Sequence, residues 1–168
     1  EVLHAQDPVH YPDDNHKPEI AIALNGLAAL MGLKPFPDLI ATLDRYPEIA
    51  SFVGEAVVAR VTGPAPATSE AALAREVFAA LISNASADPE ALASAVDALA
   101  DRLTSQEAAL TEAEQRFLDL RHRYGSSDVG LFALFLFNIA HLGPGQGFYT
   151  TAGVPHAYLR GNIIECMA

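Results

Sequence analysis

Tyr11-Pro12-Asp13-Asp14-Asn15-His16-Lys17-Pro18-Glu19-Ile20, continued by Ala21-Ile22-Ala23-Leu24, is the stretch on which the fold turns. Its first part packs an imidazole, an ammonium and three carboxylates into one polar segment. Its second part alternates at the period of a β-strand through Ile20, Ile22 and Leu24, until Asn25-Gly26 supplies a turn signal. A charged cluster that stops where a strand starts marks the edge of a site. A second dense cluster lies near the other end: Pro155-His156-Ala157-Tyr158, then Gly161-Asn162-Ile163-Ile164-Glu165-Cys166-Met167-Ala168.

Between the two clusters the period changes from two to that of a helix. Leu27 to Leu33 reads as one or two helical turns. Pro37 fits the first turn of a helix carrying Leu39, Ile40 and Leu43, and a second helix is expected over Glu48 to Val61. Gly63-Pro64-Ala65-Pro66 breaks the pattern, and Thr68 or Ser69 can cap the helix of Leu73, Val77, Phe78, Leu81 and Ile82. Asp88-Pro89 opens a helix with the stripe Leu92, Val96, Leu99 and Leu103. Thr111 with Glu114 three residues on forms a capping box for a last helix, which Gly125 can end. Phe135 to Leu142, Phe148 to Thr151 and Pro155 to Leu159 read as strands. The expected class is α+β, with residues 35–126 forming a helical insert between strands in 1–34 and in 127–168.

Composition narrows the function. The net charge of −11, with ten scattered Lys and Arg, argues against a nucleic-acid partner, although one local basic pocket suffices for one phosphate. The one cysteine, Cys166, excludes an internal disulfide, fits a reducing, cytoplasmic setting and reads as core. No run of 18 apolar residues predicts a membrane span, and no signal peptide is visible. A start at Glu1 without methionine predicts residues upstream.

Glu19, at the start of a strand, can offer carboxylate oxygen to a cation such as zinc, and His156 can offer imidazole nitrogen. Position alone favours the plainer readings, a solvated strand-end glutamate and a structural histidine. Tyr158 shares the face of His156 in an extended strand. Gly161-Asn162 fits a two-residue hairpin turn, which would pair Arg160 with Ile163, Leu159 with Ile164 and Tyr158 with Glu165. His156, Tyr158 and Glu165 would then line one wall, suited either to proton transfer or to a polar cluster without a reaction. Lys17 would lie on the side of Glu19 if both are extended, to pair with it or to bind an anion, or else be a surface lysine. His16 would face the other way. His4, His10, His122 and His141 show no metal-like spacing, and His141 is expected to face away from the core.

Tyr-Pro-Asp-x-Asn-His-Lys-Pro-Glu at 11–19, together with Pro-His-Ala-Tyr at 155–158 and Gly-x-Ile-Ile-Glu-Cys-Met-Ala at 161–168, resembles the type I phosphomannose isomerases, zinc-dependent cupin enzymes. Gly130-Leu131-Phe132, Asn138 and Leu142-x-Pro-Gly are similar to that family as well. The resemblance implies that the flanking strands belong to an incomplete cupin (jelly-roll) barrel. It implies interconversion of mannose 6-phosphate and fructose 6-phosphate by proton transfer through a cis-enediol. It implies Glu19 and His156 as zinc ligands, Glu165 as proton carrier, and Lys17 and Tyr158 as residues that order the sugar-phosphate substrate.

The family's Gln-x-His ligand pair and its Arg-Ala-Gly-Leu-Thr-Pro-Lys segment do not occur in the sequence. The chain therefore reads as an internal fragment, inactive or nearly so alone, with exposed strand edges that favour self-association. The competing expectation is a non-catalytic binding or structural domain that merely carries cupin-like strands.

Overall fold

The computed structural model describes residues 7, 9, 18–63 and 68–167. Asp13, Asp14, Asn15, His16 and Lys17, and with them the expectations placed on Lys17, lie outside the described residues. The chain divides into two compact units, one of residues 1–32 with 139–168 and one of residues 33–138.

The first unit is built on six strands: β1 (Glu19–Ala23), β2 (Leu27–Leu33), β3 (Phe137–Leu142), β4 (Gly147–Thr150), β5 (His156–Arg160) and β6 (Ile163–Met167). They form two three-stranded sheets, ordered β4-β1-β6 and β3-β2-β5. β1 and β2 follow each other through a three-residue link yet lie in different sheets, as do β5 and β6, joined by the two residues Gly161 and Asn162. Because β1 pairs antiparallel with β6, and β2 with β5, the two connections form one bent antiparallel ribbon that passes from sheet to sheet.

Backbone contacts hold the bend. Leu24 N–H donates to the Asn162 carbonyl at 2.9 Å, and Asn162 N–H donates to Asn25 Oδ1 at 2.8 Å. Gly161 makes the approach possible. Its φ is 122°, and a Cβ there would come within 2.7 Å of the Gly26 oxygen and 2.9 Å of the Leu27 Cα.

Three expectations are corrected here. Leu27 to Leu33 is a strand, since a short apolar run takes its state from its partner rather than from its period. The Gly161-Asn162 link is not a hairpin turn joining a ladder, because β5 and β6 pair with different strands in different sheets. Cys166 is exposed, facing outward beside Ile20 in the β1–β6 register. In β1 the alternation places Ala21 and Ala23 inside, while Ile20 and Ile22 remain 45% and 41% exposed. The inner face is covered by Ala23, Leu27 and Ala29, with Met31, Leu142, Phe148 and Ile163 packed against them. His141 is exposed, as its strand position predicts.

The second unit contains seven helices among the described residues: α1 (Phe36–Arg45), α2 (Pro47–Val53), α3 (Glu55–Thr62), α4 (Glu70–Ala87), α5 (Pro89–Ser105), α6 (Glu112–Tyr124) and α7 (Gly130–Leu136). Most of their ends are written locally. Ser69 accepts from Ala72 N–H, Asp88 accepts from Ala91 N–H, and Thr111 with Glu114 closes a full capping box. The helix expected over 48–61 is broken at Gly54, whose φ of 106° no helix accommodates.

The stripes read from the sequence meet in the core: Leu39, Leu43, Ile49, Leu73, Val77, Leu81, Leu92, Val96, Leu99 and Leu103 are buried. Phe135 sits 4.5 Å from the Tyr46 ring and 5.4 Å from Phe117. The strand expected from Phe135 begins two residues later, because Phe135 and Leu136 complete α7. No helix among the described residues is long and apolar enough to cross a membrane.

Candidate metal and proton-transfer site

The inner faces of the two sheets in the first unit converge on four polar side chains. Glu19 opens β1 and shares the face of Ala21 and Ala23, both fully buried. Glu165 lies directly across from Ala21 on β6, so its carboxylate leaves the same face. On the other sheet, Met31 and Ala29 stand opposite His156 and Tyr158. Alanines at 21 and 29 keep the floor shallow and leave room between the polar groups.

Two contacts join the sheets. His156 Nε2 lies 2.8 Å from Glu19 Oε2, with both side chains mostly buried. The Tyr158 hydroxyl donates to Glu165 Oε1. His156 Nδ1 is 3.0 Å from the Val154 carbonyl, which accepts its proton and turns Nε2 toward the carboxylate. A carbonyl on one ring nitrogen and a ligand position on the other is the usual way a metal-binding histidine is oriented. Nε2 and the carboxylate oxygen thus face each other at hydrogen-bonding distance.

One donor atom each from Glu19, His156 and Glu165 fits within a span of 4.8 Å. Carboxylate oxygen and imidazole nitrogen both match the ligand chemistry of zinc. Burial, the hydrogen bond to Glu165 and the charges of Glu165 and Glu19 push the Tyr158 phenol well above its usual range. Tyr158 is therefore an O–H donor throughout the neutral range. Phe148, on β4, stacks on Tyr158 with centroids 6.1 Å apart and meets His156 edge-on at 6.4 Å.

The structure thus brings together Glu19, His156, Tyr158 and Glu165. The last three meet across two sheets, whereas the sequence reading had them on the wall of a hairpin. Sequence reasoning missed Phe148 and Thr150. The strand carrying those two is legible, but its register against Glu19 has no local signal.

The family profile described as phosphomannose isomerase type I, catalytic domain, matches residues 1–36. The chain is 35% identical to mannose-6-phosphate isomerase of Bos taurus and 34% identical to that of Homo sapiens, in each case over 100% of this chain and 40% of the relative. It therefore spans about two fifths of the length of the curated relatives it matches. Among solved structures it is similar to a zinc-bound mannose 6-phosphate isomerase, with a TM-score of 0.74 and 28% identity over 99% of this chain and 41% of that one. It is likewise similar to a mannose 6-phosphate isomerase bound with zinc and yttrium, at TM-score 0.71 and 26% identity over 99% of this chain and 41% of the other.

Proposed function

We propose that this chain, similar over its whole length to part of the curated mannose-6-phosphate isomerases, supplies part of the active site of a zinc-dependent isomerase of mannose 6-phosphate and fructose 6-phosphate. The observation that carries this reading is the 2.8 Å approach of His156 Nε2 to Glu19 Oε2, with a Glu165 carboxylate oxygen within 4.8 Å of both. The bent ribbon supports reading the two sheets as walls of an incomplete cupin barrel, with residues 35–126 as its helical insert.

Glu19 and His156 are the residues that would hold zinc. When bound, the ion acts as a Lewis acid, polarising the substrate oxygens next to the carbons that exchange a proton. Glu165 is the proton carrier. The reaction removes a proton from C2 of the aldose, passes through a cis-enediol, and returns a proton to C1; a carboxylate can do both at one face. Tyr158 holds Glu165 by donating its hydroxyl, and so fixes which carboxylate oxygen is free for the proton. It also helps to order the substrate. Lys17 is proposed to order the anionic substrate, on the strength of its place two residues before Glu19. His156, held through Nδ1, is already turned toward Glu19, which reduces the ordering cost of binding.

The test compares Glu165→Gln and His156→Ala with the wild-type full-length protein, measuring zinc content and conversion of mannose 6-phosphate. Glu165→Gln is expected to keep its zinc and lose about 100-fold or more in kcat. His156→Ala is expected to lose the zinc. A Glu165→Gln protein with wild-type kcat would remove the proton-carrier role.

A further inference from the structure

Thr150 stands directly opposite Glu19 in the β1–β4 ladder, so both side chains leave the same face of the sheet. Directly opposed residues hold their Cβ atoms about 5 Å apart. Thr150 is only 4% exposed, and its Oγ1 has no hydrogen-bond partner among the described residues. A buried unpaired hydroxyl is unfavourable beside a valine of the same shape. Its presence calls for a partner that arrives later.

The neighbours of Glu19 narrow the choice. Its cross-strand partner on the other side is Met167, whose thioether can only accept. Tyr158 already donates to Glu165. Glu19 Oε2 is engaged by His156 Nε2 at 2.8 Å. A metal ion between these two atoms takes one carboxylate oxygen and leaves the other in need of a donor. Ligating carboxylates are ordinarily held by such a second hydrogen bond.

We propose that Thr150 is a positioning residue for the metal: its hydroxyl donates to the Glu19 carboxylate oxygen that the ion does not use. Nothing in the local sequence points to it, because the pairing of Thr150 with Glu19 exists only in the ladder. The inference rests on the zinc reading given above.

The experiment measures zinc dissociation constants of the full-length protein by competition with a chromophoric chelator, and the thermal midpoint of the metal-free form. Thr150→Val keeps the shape and removes the donor; Thr150→Ser keeps the donor. Thr150→Val is expected to weaken zinc binding 10- to 100-fold with an unchanged or higher metal-free midpoint, and Thr150→Ser to remain within about threefold of wild type. If Thr150→Val does not fold, Thr150→Ala is judged by the same criterion. Wild-type zinc affinity in the Val variant, with zinc lost in His156→Ala, overturns this inference alone. A wild-type protein that takes up no zinc overturns the zinc reading and this inference with it.

Discussion

Replacing Glu114 by alanine should cost the helical unit about 3 to 4 kcal/mol. Glu114 is 1% exposed, yet it carries a charge and accepts four hydrogen bonds. Thr111 N–H and Thr111 Oγ1 donate to Oε2 at 2.7 and 2.9 Å; Tyr46 Oη and Arg45 Nη2 donate to Oε1, each at 2.9 Å. Loss of the capping box costs about 1 kcal/mol. The Tyr46 hydroxyl, on a ring only 5% exposed, would be left buried without an acceptor, at about 2 kcal/mol. Arg45 contributes less than about 1 kcal/mol, because its side chain is 54% exposed and can turn to water.

The assay is urea and thermal unfolding followed at 222 nm, where the helices dominate. A fall in midpoint of about 12 °C or more is expected for a unit of this size. The pH dependence gives a second check. Burial alone would raise the Glu114 carboxyl, but the hydrogen bonds from Thr111, Arg45 and Tyr46 outweigh it and hold it below the usual range. A group lowered by folding contributes stability above its unfolded value, and that stability is lost as pH falls through the folded value. The loss therefore starts near the usual glutamate value of about 4.3 and continues below it. Glu114→Gln should flatten that part of the profile. A Glu114→Ala protein that loses less than about 1 kcal/mol would refute the reasoning.

Two further changes probe the first unit. Gly161→Ala forces a Cβ against the Gly26 oxygen at a φ of 122°, and should cost about 2 to 4 kcal/mol at the bend. Amide hydrogen exchange in β5 and β6 should rise while the 222 nm transition stays in place; unchanged exchange would show that the bend tolerates a side chain. Tyr158→Phe removes the donor to Glu165 and should lower kcat about tenfold or more, with a stability change under about 1 kcal/mol. A kcat within twofold of wild type would dismiss Tyr158 from the reaction.

Much of the helical unit is legible because its instructions are local. Ser69, Asp88 and the Thr111–Glu114 box each act within three or four residues, and the stripes from Leu73 to Leu103 repeat at the spacing that buries one helix face. The motifs around Glu19 and His156 are legible too, since residue type and order are sequence properties. Pairing is different. Period two says which side chains share a face, but not which strand lies alongside. Reading Gly161-Asn162 as a hairpin turn was sound local chemistry. The outcome instead depends on Asn25, 137 positions away, whose side chain accepts from Asn162 N–H.

By itself, then, the sequence determined the capped helices, the short strands other than β2 and the donor types available for a metal. Only the tertiary structure decided that β5 and β6 part into different sheets, that Cys166 faces outward, and that Tyr158 meets Glu165 across the gap. It alone set Thr150 against Glu19. These are contacts between segments far apart in the chain, and their partners are chosen by burial and backbone pairing over the whole unit, which no window of the sequence contains.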